Sequence, residues 1–140
     1  MHKSIVAHSP LGPVLLIDSI TQAEPEDDGC VVVCGSHGGS SSGEFALARA
    51  LVCVVFNDAG IGKDDAGVAA LALLQAQGRA AAAVAHHSGR IGDARDIWQH
   101  GVLSRVNAAA AALGARPGLA LQQWLMQPQL TPPGRSRPRP

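Results

Sequence analysis

A chain of 140 residues holds one hydrophobic core rather than two. Eleven basic residues balance eleven acidic ones, which leaves no overall field to attract a polyanion and excludes nucleic acid as the expected partner. The hydrophobic fraction is 46% with no Tyr and two Phe, so the core is aliphatic; no apolar run reaches membrane-spanning length, and no membrane is expected as a partner.

The first apolar segment, VLLI at 14–17, is set off by Pro10, Gly12 and Pro13 and ends in the polar DSIT, which reads as a short strand. AEPEDDG at 23–29 reads as an acidic surface turn. CVVVC at 30–34 is continuous and β-branched rather than alternating, the pattern of a strand covered on both faces in a parallel sheet, and VCVVF at 52–56 repeats it. Between them EFALARAL predicts a helix. DDAGVAALALLQAQG at 64–78 predicts another, with acids in its first turn and Gly78 just past its end. AAAVA at 81–85 is a strand by its place in the alternation. After residue 92 the chain reads as helical: DARDIWQHG, then SRVNAAAAALG with Gly114 as its stop, then LALQQWLMQ.

The order strand, helix, strand, helix, strand implies right-handed crossovers. The expected fold is therefore a small three-layer α/β domain over residues 1–127, Rossmann-like, with a mostly parallel sheet, helices on both faces and a helical C-terminal part. The Ala-rich stretch at 106–113 is expected to pack closely against another helix, and a homodimer or higher homo-oligomer through that face follows from it. PQLTPPGRSRPRP is rich in Pro and Arg and is expected to be a disordered tail over 128–140. Cys30 and Cys34, four apart in a strand, share a face but stand roughly 13 Å apart, too far for a bridge. With Cys53 they make an odd number, read as buried free thiols in a reducing cytoplasm.

Each predicted strand ends in a polar cluster: GSHGG, NDAGIGKDDAG and HHSGRIGDARD. In an open parallel sheet these loops leave one edge together, and ligands bind there. Gly35, Gly38 and Gly39 allow a ligand to approach the main chain, as in an anion cradle, while Ser40 to Ser42 read as connector. Neither the phosphate loop nor the dinucleotide fingerprint is present, so no organic cofactor is expected. Ser36 and His37 follow in the same loop, and His37 supplies an imidazole, the side chain most often used for proton transfer. Ser36 with His37 or His86 suggests a serine hydrolase, yet the GxSxG elbow is absent.

Asn57 and Asp58 sit at the end of the next strand. Lys63 beside Asp58 would depress the carboxylate pKa or hold a proton for a leaving group, while Asp64 and Asp65 serve equally as helix caps. Asp58, Asp64 and Asp93 lack an established metal spacing, so no metal is expected. Arg90 suits a carboxylate or phosphate on a substrate, or a salt bridge to Asp93. Ser104 and Asn107, three apart on a predicted helix, would face the same site.

Taken together, GSHGG, NDAGIGKDDAG and SGRIGDARD with GVLSRVN resemble a family of small bacterial proteins of uncharacterised function that carries NDAGxGKDxAG and RIGD, over about residues 14 to 114. GSHG is also similar to a short stretch of universal stress proteins that helps bind ATP phosphates, and GIGKDDAG resembles the GxGxDxxG signature of hydrogenase maturation proteases. The expected function is a cytoplasmic enzyme acting on a small anionic metabolite by general acid/base chemistry, as a hydrolase or a lyase/isomerase. His37, Asp58, Lys63 and Ser36 would be catalytic. Gly35, Gly38, Gly39, Asn57, Arg90, Asp93 and Asn107 would bind substrate. The alternative is a non-catalytic nucleotide- or metabolite-binding module.

Overall fold

The computed structural model describes residues 1–128 and 130. The tail expected over 128–140 therefore lies, but for Pro128 and Leu130, outside the described residues. Four parallel strands, β2 (Gly12–Ile17), β3 (Val31–His37), β4 (Cys53–Asn57) and β5 (Ala80–Val84), stand side by side in chain order. An antiparallel strand closes each side: β1 (Lys3–Ser9) lies along β2, and β6 (Leu103–Val106) along β5.

Each parallel step goes the same way across the sheet, so right-handed crossovers must all pass over one face. That face carries short 3-10 turns at Ile20–Gln22 and Pro25–Asp27, then α1 (Ser40–Leu47) and α2 (Ala69–Gln75). Only after β5, where the direction reverses into β6, can the chain cover the other face, with α3 (Ala94–His100), α4 (Ala108–Ala112) and α5 (Leu121–Leu125). The pleat sorts side chains accordingly. Val32, Cys34, Val54, Phe56, Ala81 and Ala83 pack toward α1 and α2, whereas Val31, Val33, Cys53, Val55, Ala82 and Val84 pack toward α3 and α5. The three-layer α/β expectation thus holds, and Cys30 and Cys34 do share a face. All three cysteines are free and buried.

Four local readings change. Residues 3–9 form a strand that the sequence reading did not assign; β1 covers the otherwise open edge of β2, with its register slipping at Val6. Residues 104–106 form a strand, not a helix. Leu103 is buried and β5 offers an edge of unpaired backbone groups, while Asn107 caps α4 by accepting from Ala110 N and so starts the helix after itself. The resulting α4 packs chiefly on β5 through Ala110, not on a neighbouring helix. Helix α1 begins at Ser40, so Ser40 to Ser42 are its first turn rather than connector.

The helix expected from residue 64 begins only at Ala69, because Asp64 and Asp65 take left-handed angles, φ 56° and 57°. The preceding loop doubles back: Ile61 N donates to Asp58 O at 2.6 Å, and Gly67 N to Ile61 O at 2.6 Å. Gly67 is pressed so closely onto the Asp58 carbonyl that no side chain fits there.

Candidate functional site

The carboxyl ends of β2 to β5 deliver Asp18, His37, Asp58 and His86 to one edge of the sheet, as the clustering of polar residues predicts. Their tasks differ from one another. Asp18 accepts from His2 N at 2.7 Å and from Ala94 N at 3.0 Å, tying the start of β1 and of α3 to β2. Burial works to raise its pKa, but those two bonds hold it below the ordinary carboxylate value.

The GSHGG segment is not a loop as far as residue 37: β3 continues through Gly35, Ser36 and His37, and His37 pairs with Asn57. The glycines serve packing here. A side chain at Gly35 would meet Asp18 O at 2.5 Å, and one at Gly38 would meet Gly67 O at 2.6 Å. Gly38 also ties two elements together, its N donating to Asn57 O and its O accepting from Ala70 N. Ser36 Oγ accepts from Ile20 N at 2.9 Å and so pins the first 3-10 turn. His37 is exposed, and its ring lies over Gly39, where an added side chain would meet Nε2 at 2.6 Å.

Asn57 is fully buried. It accepts from Ala59 N at 2.8 Å and donates to Gly89 O at 2.7 Å, joining the loop after β4 to the loop after β5. Asp58, with 4% of its surface exposed, is the hub of the edge. Its Oδ1 accepts from Gly60 N at 2.8 Å and His86 N at 3.0 Å, and its Oδ2 accepts from Ser104 Oγ at 2.6 Å. Burial alone would push the pKa up; the hydrogen bonds from Ser104, Gly60 and His86 outweigh it and hold the carboxyl below its usual range. The same Oδ1 stands 3.4 Å from His86 Nδ1, within ion-pair range. The His86 side chain is 56% exposed, and its Nε2 is bonded to no protein group among the described residues.

His86 faces an open cleft of about 530 Å3 walled also by Ala59, His87, Arg90, Ile91 and Asp96. Arg90 forms no ion pair with Asp93 or any other carboxylate among the described residues. Asp93 instead caps α3, accepting from Asp96 N at 3.0 Å. Asp96 accepts from Arg90 N at 2.8 Å and sits 2.9 Å from His100 Nδ1; the first of these contacts is the leading cause of its lowered pKa.

Lys63 also makes no ion pair among the described residues, and Asp64 and Asp65 line a different groove, beside Arg105. Asn107 lies at the other end of β5. It accepts from Ala81 N at 3.0 Å and donates to Arg79 O at 2.8 Å and Leu71 O at 3.2 Å, whereas Asp58 N bonds Val84 O at the carboxyl end. Ser104 and Asn107 therefore part company: a strand rise of about 3.3 Å per residue carries them to different ends of the sheet.

Among the described residues no group of three His, Cys, Asp or Glu side chains is arranged to hold a metal ion. No helix of the described residues is long and apolar enough to cross a membrane. No serine bonds to His37 or His86 among the described residues: Ser36 and Ser104 are engaged as above, and Ser88 Oγ donates to Ala85 O at 2.7 Å and accepts from Val102 N at 2.9 Å. Sequence reasoning had all members of the Asp58–His86–Arg90 set in view. It chose His37 over His86 because nothing in the sequence shows which imidazole shares a wall with Arg90. The chain matches no protein-family model, no curated protein and no solved structure, so the chemistry of this edge is argued from its own geometry.

Proposed function

We propose that the chain is an enzyme that moves a proton on a small anionic substrate in the cleft of His86, with His86 as the general base. The observation that carries this reading is the Asp58–His86 pair. A buried carboxylate, kept charged by three hydrogen bonds, stands 3.4 Å from Nδ1 while Nε2 is unengaged among the described residues. A carboxylate behind Nδ1 favours the tautomer with its proton there, which leaves the lone pair on Nε2 to accept a substrate proton. Arg90, on the wall of the same cleft, supplies a planar pair of donors for a carboxylate or phosphate and fixes the substrate against the base. Asp58 keeps the role of acid/base partner that the sequence suggests, and the base passes from His37 to His86. The engaged serines favour direct proton transfer or activation of a water over a serine nucleophile. The reaction class is accordingly a lyase or isomerase, or a hydrolase that uses water.

The test is turnover of a panel of small carboxylic and phosphorylated acids, followed by proton NMR. His86→Asn is expected to lower turnover by roughly a hundredfold or more, the usual scale for a general base, while His37→Ala stays within a few-fold of the parent. Unchanged turnover in His86→Asn removes that residue from the mechanism. Acids that bind but are never converted point to the binding-module alternative.

A further inference from the structure

Arg90 and Ile91 belong to two clefts, since the same pair forms a wall of a second cleft of about 570 Å3 with His2, Asp18, Asp93 and Arg95. We propose that the substrate bears two anionic groups, one held by Arg90 in the cleft of His86 and the other by Arg95 beyond the Arg90–Ile91 ridge, with a short apolar segment lying over Ile91. This rests on the reading of the first cleft as the place of reaction.

The ridge is fastened in a way that exposed loops ordinarily are not. Gly89 O accepts from the buried Asn57 amide, Arg90 N donates to Asp96, Gly92 N donates to Gly35 O at 2.8 Å, and Asp93 N donates to Arg90 O at 3.1 Å. Gly35, without a side chain, lets Gly92 approach the sheet. So firm a mount carries two exposed side chains, a cation and Ile91, which is 52% exposed. Fixing the backbone beneath a contact residue reduces the entropy lost when it grips a ligand, which is what a binding ridge requires and a solvated loop does not.

The charges on either side are unequally employed. Every carboxylate around the second cleft is occupied by backbone donors: Asp18 by His2 N and Ala94 N, Asp93 by Asp96 N. Arg90 and Arg95 make no ion pair among the described residues. Because the carboxylates of Asp18 and Asp93 stand in the same wall, no diffuse positive field gathers anions there. A second anionic group is held only by direct contact with the Arg95 guanidinium, which makes the cleft selective for molecules long enough to reach it.

The experiment compares affinities by NMR titration for succinate with butyrate, glutarate with pentanoate, and adipate with hexanoate. Phosphonopropionate is added to distinguish a phosphoryl from a carboxyl group at the Arg95 end. At the best-fitting length the doubly charged acid is expected to bind at least about tenfold more tightly than its singly charged counterpart, a difference of about 1.4 kcal/mol. Arg95→Gln is expected to bring that ratio to within about twofold without changing the affinity of the singly charged acid, and Arg95→Lys to restore part of it. Arg90→Gln weakens both. Equal affinities at all three lengths, failure of every acid to bind, or a preference that survives Arg95→Gln overturns the proposal. His86→Asn separates it from the reading on which it rests. A two-anion preference kept in that variant while turnover is also kept sinks the base assignment alone, and a preference missing from the parent sinks the two-anion substrate whatever His86 does.

Discussion

Replacing Asp58 by Asn keeps the shape of the side chain and removes its charge. In the folded protein the carboxylate accepts three hydrogen bonds, two from backbone N–H groups and one from Ser104. A hydrogen bond to a charged group is worth about 1.5–3 kcal/mol and a neutral one about 0.5–1.5, so each of the three loses about 1 kcal/mol. The amide oxygen still serves the two backbone donors, and the Ser104 hydroxyl can turn to Ala83 O, already 3.3 Å away. The net loss is therefore about 2–3 kcal/mol at pH 7, or roughly 6 to 10 °C in Tm for a chain of this size. The assay is urea unfolding, followed by the fluorescence of the buried Trp124.

The pH dependence follows from the direction of the shift. The folded pKa of Asp58 lies below that of the unfolded chain, near 3.9, so the carboxylate stabilises the fold fully above that value. The contribution disappears as the pH falls through the folded pKa. Asp18 and Asp96 are shifted the same way, but both proteins contain them and their effect cancels in the difference. The stability gap between parent and Asp58→Asn is thus expected to be widest at pH 5 to 7 and to narrow toward pH 3. A variant within about 0.5 kcal/mol of the parent at pH 7, or a gap that stays constant down to pH 3, would refute the account of Asp58 as a charged hub.

Three further outcomes are expected. Gly67→Ala places a methyl group against the Asp58 carbonyl and forces the 58–67 loop to open, so the variant should lose about 3 kcal/mol or more in urea unfolding; parental stability would mean that the loop closes differently. Asn107→Ala strips partners from the start of β5 and α4, and a loss of about 2–4 kcal/mol is expected with turnover per folded molecule unchanged, because the residue lies at the far end of the sheet from His86. Burial pushes the thiols of Cys34 and Cys53 up to about 12 and raises Cys30 as well, so a disulfide reagent at pH 8 should label them only after denaturant is added; rapid labelling of the native protein contradicts their burial.

The sequence alone determines the layers. Continuous β-branched runs can be satisfied only when both faces are covered, and their alternation with helical segments dictates parallel strands whose polar ends emerge together. That is why His37, Asp58, His86 and Arg90 fall at one edge on the sequence pattern alone. What lay beyond it were relations fixed by distant partners. SRV has no strand pattern of its own and became β6 because β5 presented an open edge, and that pairing brought Ser104 to Asp58 and sent Asn107 to the opposite end. GSHGG reads as a ligand cradle, yet its glycines are small because Asp18, Gly92 and Gly67 press against them. Two histidines follow two strands with equal claim in the sequence. Only the folded chain sets a buried carboxylate behind His86 and lays His37 over Gly39, because a side chain's neighbours across the sheet depend on the register between strands, which no local pattern contains.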